Sequence, residues 1–172
     1  MTKLEIQGGN RLHGEVRISG AKNSALPIIV AAALAVEGEC VLDNIPKNND
    51  VGTICLILRN LGVDVWFDQK GKLHVVGASL SEYQAPYDLV RKMRASFYTA
   101  GLLLARLGRA EVPLPGGCSI GSRPVDFHLR GFSQMGADIA IEHGFMKARC
   151  RRLVGTNYYI NRSSVGTTMN LM

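Results

Sequence analysis

Hydrophobic and polar positions along this chain follow two periods, and each stretch predicts an element. Val16-Arg17-Ile18-Ser19 alternates singly, as a strand does. Asn23 to Val36 is an Ala-rich apolar helix closed by Gly38, with Pro27 placed in its first turn. Glu39 to Asp43 reads as a short strand. Asp50 then caps a helix whose apolar positions Val51, Ile54, Cys55, Leu58 and Leu61 recur at i, i+3, i+4, and Gly62 stops it. Val63 to Phe67 and Leu73 to Val76 form a hairpin around Gln69-Lys70-Gly71.

The same order then returns. A helix from about Val90 to Leu107 ends at Gly108, and Ala110-Glu111-Val112 is a short strand. A helix begins at Pro124 and stops at Gly136. Ala137 to Ile141 and Phe145 to Ala148 make a second hairpin turning at His143-Gly144. Gly62 and Gly136 stand 74 residues apart. The period is too long for a solenoid and points to duplicated α/β subdomains. A third unit starts with a strand at Tyr159-Ile160-Asn161 and a helix from Ser164 to Met172, whose Val165, Met169 and Met172 side lacks a partner.

Each unit opens alike. Lys22 precedes Ser24, Arg94 precedes Ser96, and Arg162 precedes Ser164, at intervals of 72 and 68 residues. Helix N-termini carry unpaired N–H groups and a partial positive charge. Three such openings in register predict one shared anion pocket; the plainer alternative is three capped helices with solvated cations.

Composition narrows the class. With 172 residues, 47% hydrophobic and 20% charged, the chain builds one domain with a core, perhaps with a stub of another, and is not disordered. Its longest uncharged apolar run, Leu26 to Val36, falls short of the ~20 residues that span a bilayer. The expected location is the cytoplasm, with no membrane partner. The four cysteines, at 40, 55, 118 and 150, lack the spacing of a metal site, and no metal is expected. Cys40 and Cys55 read as buried thiols. The net charge of +6 and pI near 9.4 admit an RNA-binding α/β protein as one alternative. The aromatic content of 6% is a weak stacking inventory, and basic residues gathered on a phosphorylated small molecule give the same excess. No nucleic-acid partner is therefore expected.

Leu114 to Asp126 concentrates the candidate chemistry. Glycines frame Cys118, and Arg123-Pro124 opens a helix whose first turn holds Asp126. A thiol beside a guanidinium and a helix N-terminus is in the setting that lowers a thiol pKa. The loop has neither the Gly-Lys-Ser/Thr of a phosphate-binding loop nor a dinucleotide fingerprint.

These residues resemble the amino-terminal part of the UDP-N-acetylglucosamine 1-carboxyvinyltransferase family of enolpyruvyl transferases. The resemblance is carried by Ile18 through Pro27, Ala85 through Val90 with Met93-Arg94-Ala95-Ser96, Pro115 through Asp126, and Ser164-Val165-Gly166. It runs from residue 1 to residue 172 in order. It implies repeated βαβαββ subdomains of an inside-out α/β barrel, here two complete repeats and the start of a third. Residues 1–21 are then a leading strand segment that pairs with a second domain, and residues 22–172 an incomplete first α/β domain carrying the Cys loop.

The implied reaction moves the enolpyruvyl group of phosphoenolpyruvate to the 3-hydroxyl of UDP-N-acetylglucosamine and releases phosphate, without a cofactor. The resemblance assigns Lys22 and Arg123 to phosphoenolpyruvate, Asn23 to orientation, and Cys118 to proton donation or adduct formation on a lid. Arg94 reaches the nucleotide sugar. Arg123, Pro124, Val125, Asp126 and Phe127, with Arg162, Ser163, Ser164 and Val165, line its uridine and diphosphate. Phe127 and Arg162 depart from the Leu and Lys of the family pattern. Because the site lies between two domains in that family, a carboxy-terminal half is the expected partner. These 172 residues alone are expected to show no transferase activity. A noncatalytic fragment that binds UDP-sugars is the other alternative.

Overall fold

The computed structural model describes residues 3–115 and 125–172. The first unit runs α1 (Lys22–Ala32), β1 (Cys40–Leu42), α2 (Asn49–Asn60), β2 (Asp64–Phe67) and β3 (Leu73–Val76). The second runs α3 (Tyr87–Val90), a 3₁₀ turn (Arg94–Tyr98), α4 (Thr99–Leu107), β4 (Arg109–Pro113), α5 (Asp126–Gln134), β5 (Asp138–Glu142) and β6 (Phe145–Arg149). A last helix, α6 (Val165–Leu171), follows an irregular stretch.

The duplication is visible in the sheets. Each unit has an antiparallel three-stranded sheet, ordered β1-β3-β2 in the first and β4-β6-β5 in the second. Both hairpins turn where the sequence predicts, on Gly71 (φ +80°) and on His143 and Gly144 (φ +50° and +79°). Two consecutive positive φ angles give a turn whose twist matches the strands it joins. The helices cover one side of these sheets, and Ile29, Ile54, Ile57, Leu58, Leu61, Leu102, Leu103, Phe132 and Met146 make a continuous core.

Several expectations are corrected. Val16–Ser19 is not a strand. Residues 3–20 carry no regular structure, and Leu4, Ile6, Leu12, Val16 and Ile18 are each at least 77% exposed. An alternating pattern forms a strand only against another strand's edge, and none of the described residues offers one there. Tyr159-Ile160-Asn161 likewise lies in an irregular stretch, tied down by the Tyr158 hydroxyl donating to the Phe127 carbonyl at 3.1 Å. A strand-like segment that the pattern missed precedes α3: the Ala85 N–H donates to the Glu111 carbonyl (2.9 Å), and the Glu111 N–H to the Tyr83 carbonyl (2.8 Å), in parallel register.

The helices also differ from expectation in detail. α1 ends at Ala32, not Val36, and because it opens at Lys22, Pro27 sits in its second turn. There the missing N–H leaves the Asn23 carbonyl without its helical partner. α2 is capped by Asn48, whose Oδ1 accepts from the Val51 N–H at 3.0 Å, while Asp50 sits in the first turn. The helix expected from Val90 to Leu107 is broken at Met93, and its segment from Arg94 to Tyr98 is 3₁₀. Met93 is extended (φ −149°, ψ 126°), and the buried Ser96 hydroxyl reaches the carbonyls of Val90 and Met93 in place of a regular helical ladder. Cys40 is half-buried rather than buried.

Candidate active-site cleft

The two units and α6 enclose a cleft of about 1140 Å³. α1 brings Lys22 and Asn23 to it, α2 brings Asp50, the 3₁₀ turn brings Arg94 and Tyr98, and the start of α5 brings Val125, Asp126, Phe127 and His128. The stretch before α6 adds Arg162, Ser163 and Ser164, and α6 itself adds Val165. Corresponding ends of repeated units meet here, so the three cations at the heads of the repeats line one cavity although they are 68 and 72 residues apart in sequence. Gly20 helps bring α1 to the rim: its N–H donates to Asn44 Oδ1 at 3.1 Å, and a Cβ there would lie 1.8 Å from the Asn44 carbonyl oxygen.

The electrostatics are one-sided. Lys22, Lys92, Arg94, Arg130 and Arg162 face two carboxylates, Asp50 and Asp126, among the described lining residues. Lys22 Nζ pairs with Asp50 Oδ2 at 2.6 Å, and Asp126 Oδ2 lies 3.6 Å from Arg130. The other Asp126 oxygen, Oδ1, is buried without a hydrogen-bond partner among the described residues. His128 is buried in the cleft wall, edge-on to Phe97 with ring centroids 5.3 Å apart. Burial, reinforced by the Arg94 charge, pushes the His128 imidazole down to about 4, although Asp126 works the other way. It is therefore neutral at physiological pH.

Of the residues expected from sequence, Lys22, Asn23, Arg94, Val125, Asp126, Phe127, Arg162, Ser163, Ser164 and Val165 line this cleft. Cys118, Arg123 and Pro124 lie outside the described residues. The three hydroxyls at the heads of the units do not act alike. Ser164 caps α6, its Oγ accepting from the Thr167 N–H at 3.3 Å. Ser96 is buried among carbonyls, and Ser24 makes no side-chain cap on α1. Asp50, Lys92, Tyr98, His128 and Arg130 escaped the sequence reading, because nothing in their spacing marks them; only folding carries them to the cavity.

The thiols separate by environment. Burial pushes the Cys55 thiol up, and the same cause raises Cys150. Alkylation of the folded protein at neutral pH should mark Cys55 last, and Cys118 is expected first on the sequence alone, which sets it among glycines near Arg123. Peptide mapping reads the order, and labelling of Cys55 as fast as Cys118 would contradict it.

Residues 6–172 match the EPSP synthase (3-phosphoshikimate 1-carboxyvinyltransferase) family. The chain belongs to this family. It is 53% identical over 170 residues to UDP-N-acetylglucosamine 1-carboxyvinyltransferase 2 of Symbiobacterium thermophilum, covering 99% of this chain and 40% of that protein. It is 49% identical over 173 residues to UDP-N-acetylglucosamine 1-carboxyvinyltransferase of Saccharophagus degradans, covering 41% of it. The chain thus spans about two-fifths of the length of these relatives. Among solved structures, the enolpyruvyl transferase NikO from Streptomyces tendae superposes with a TM-score of 0.70 at 27% identity, over 86% of this chain and 32% of that one. EPSP synthase from Acinetobacter baumannii shares the fold, with a TM-score of 0.66 at 18% identity over 92% of this chain and 37% of that one. The repeated α/β architecture is that of the enolpyruvyl transferases. None of the described helices is long and apolar enough to cross a membrane.

Proposed function

We propose that this chain is the amino-terminal part of an enolpyruvyl transferase, which moves the enolpyruvyl group of phosphoenolpyruvate to the 3-hydroxyl of UDP-N-acetylglucosamine and releases phosphate. The observation that carries the reading is the convergence of Lys22, Arg94 and Arg162 on one cleft, together with about 50% identity to carboxyvinyltransferases of that substrate. The enzyme's place is in the cytoplasm, at the first committed step of peptidoglycan precursor synthesis. Residues 1–21 pack on a second domain that completes the site, and residues 22–172 form the first.

The chemistry is addition followed by elimination. The vinyl methylene of phosphoenolpyruvate takes a proton, the sugar hydroxyl attacks the adjacent carbon, and the tetrahedral intermediate loses phosphate and a proton. Negative charge is concentrated on the carboxylate and the phosphate throughout, so fixed cations supply most of the stabilisation. Lys22 and Arg123 hold phosphoenolpyruvate, and Asn23 orients it. Asp50 pairs with the Lys22 ammonium, so a bound anion competes with that carboxylate for it. Arg94 reaches the sugar nucleotide. Val125, Asp126 and Phe127 with Arg162, Ser163, Ser164 and Val165 line the uridine and diphosphate. Cys118 donates the proton or forms an adduct.

A chimera joining this chain to the remaining part of the Symbiobacterium thermophilum relative tests the assignment. It should release phosphate from phosphoenolpyruvate when UDP-N-acetylglucosamine is present. Turnover with shikimate 3-phosphate instead would overturn the substrate, and RNA binding at the cleft without UDP-sugar binding would overturn the class.

A further inference from the structure

Asn170 is buried in α6 and points its amide into the wall of the cleft, where the proposed function does not use it. Its Nδ2 lies 3.1 Å from the Phe97 carbonyl oxygen and 3.0 Å from His128 Nδ1. The carbonyl of Phe97 can only accept, which fixes the orientation of the amide: Nδ2, not Oδ1, faces it. The second proton of the same NH₂ group then points at His128 Nδ1. A donor aimed at Nδ1 requires a lone pair there, so the ring proton sits on Nε2. The room for this arrangement is built in, because a Cβ on Gly101 would lie 2.6 Å from Asn170 Oδ1.

We propose that Asn170 is a positioning residue that holds His128 as the Nε2–H tautomer of a neutral imidazole, presenting that N–H as a donor to an acceptor oxygen of the bound sugar nucleotide. The inference deepens the proposed function and rests on it for the identity of the ligand. A neutral donor among cations has a specific use. It recognises an oxygen without adding to a field already set by Lys22, Lys92, Arg94, Arg130 and Arg162, and it leaves the site's charge independent of pH across the neutral range. Among the described residues, the charges acting on the ring are Arg94 from the 3₁₀ turn and Asp126 from its own helix, and Tyr98 and Arg130 line the same cleft. α6 (Val165–Leu171) contributes none. An imidazolium would set an Nδ1–H against the amide N–H and a cation against Arg94, so the geometry and the charge favour the same state.

Nitrogen-15 NMR of the histidine rings in the wild-type chain reads the tautomer without any ligand. The expected spectrum at pH 7 has a bare Nδ1 and a protonated Nε2 for His128, persisting to pH 5. An imidazolium or an Nδ1–H ring at pH 7 overturns the lock. Asn170→Ala should mix the tautomers and weaken UDP-N-acetylglucosamine about fivefold; an unchanged His128 spectrum in that variant also overturns it. On adding UDP-N-acetylglucosamine to the wild-type chain, the Nε2 resonance should shift. His128→Gln, which keeps a donor near the same place, should bind within about threefold of wild type, whereas His128→Phe should lose about tenfold. Equal affinity of the Gln and Phe variants overturns the donor role. Absence of any binding by wild type would count against the proposed function, and the tautomer would still be decided by the unliganded spectrum.

Discussion

Replacing Arg106 with Ala should destabilise the chain by about 3 kcal/mol, the scale of losing several hydrogen bonds to one charged group. Arg106 lies on α4, in the second unit, yet its Nη1 reaches the carbonyls of Ala33 (2.9 Å), Ala35 (3.1 Å) and Gly77 (3.0 Å) in the first. Two of these belong to the turn that ends α1, where the dipole favours a cation. The third follows β3, at a glycine so close that a Cβ would sit 2.4 Å from the Ala33 carbonyl oxygen. One guanidinium therefore satisfies carbonyls from two segments and joins the units. For a chain of this size the loss corresponds to a fall in Tm of about 6–12 °C. Arg106→Lys should recover part of it, since an ammonium keeps the charge but not the planar fork. Urea unfolding reads the result, and a change below about 0.5 kcal/mol for the Ala variant would show that the strut is dispensable.

The second large effect concerns ligand binding. Arg94→Ala should weaken UDP-N-acetylglucosamine by 1–3 kcal/mol, on the order of 5- to 150-fold, the usual range for a charge-assisted contact. Arg94 sits where the break after α3 turns the chain toward the cleft, beside the extended Met93 and the Ser96 hydroxyl that stabilise the break. The same substitution also removes a positive charge that disfavours protonation of His128, so the His128 pKa should rise. Calorimetric titration at fixed salt measures the affinity, because contacts of this kind weaken as ions screen them. Binding equal to wild type would remove Arg94 from the site.

Much of this architecture is legible in one dimension because it rests on local physics. Gly62, Gly71, Gly136 and Gly144 adopt positive φ where the hydrophobic pattern breaks, and α2 buries the positions that its periodicity selects. Repetition made the cleft partly legible too: equal positions in successive units fold to the same end, so Lys22, Arg94 and Arg162 could be grouped before any coordinates. What escaped depends on distant partners. Val16–Ser19 has a strand's alternation but no edge to join among the described residues, and the carbonyls just beyond the end of α1 are taken up by Arg106 from more than seventy residues away. Asp50 looked like a cap and instead pairs with Lys22, while Asn48 does the capping. The contact between His128 and Asn170 spans 42 residues and leaves no trace in spacing.

The central claim is that the cleft between the repeated units is the sugar-nucleotide site. Amide chemical-shift mapping of this 18.7 kDa chain with UDP-N-acetylglucosamine tests it most directly. The largest saturable shifts should fall on Lys22, Asn23, Arg94, Val125 to His128 and Arg162 to Val165. Shifts gathered instead on the outer sheet face around Trp66 and His74, or none at millimolar ligand, would contradict it.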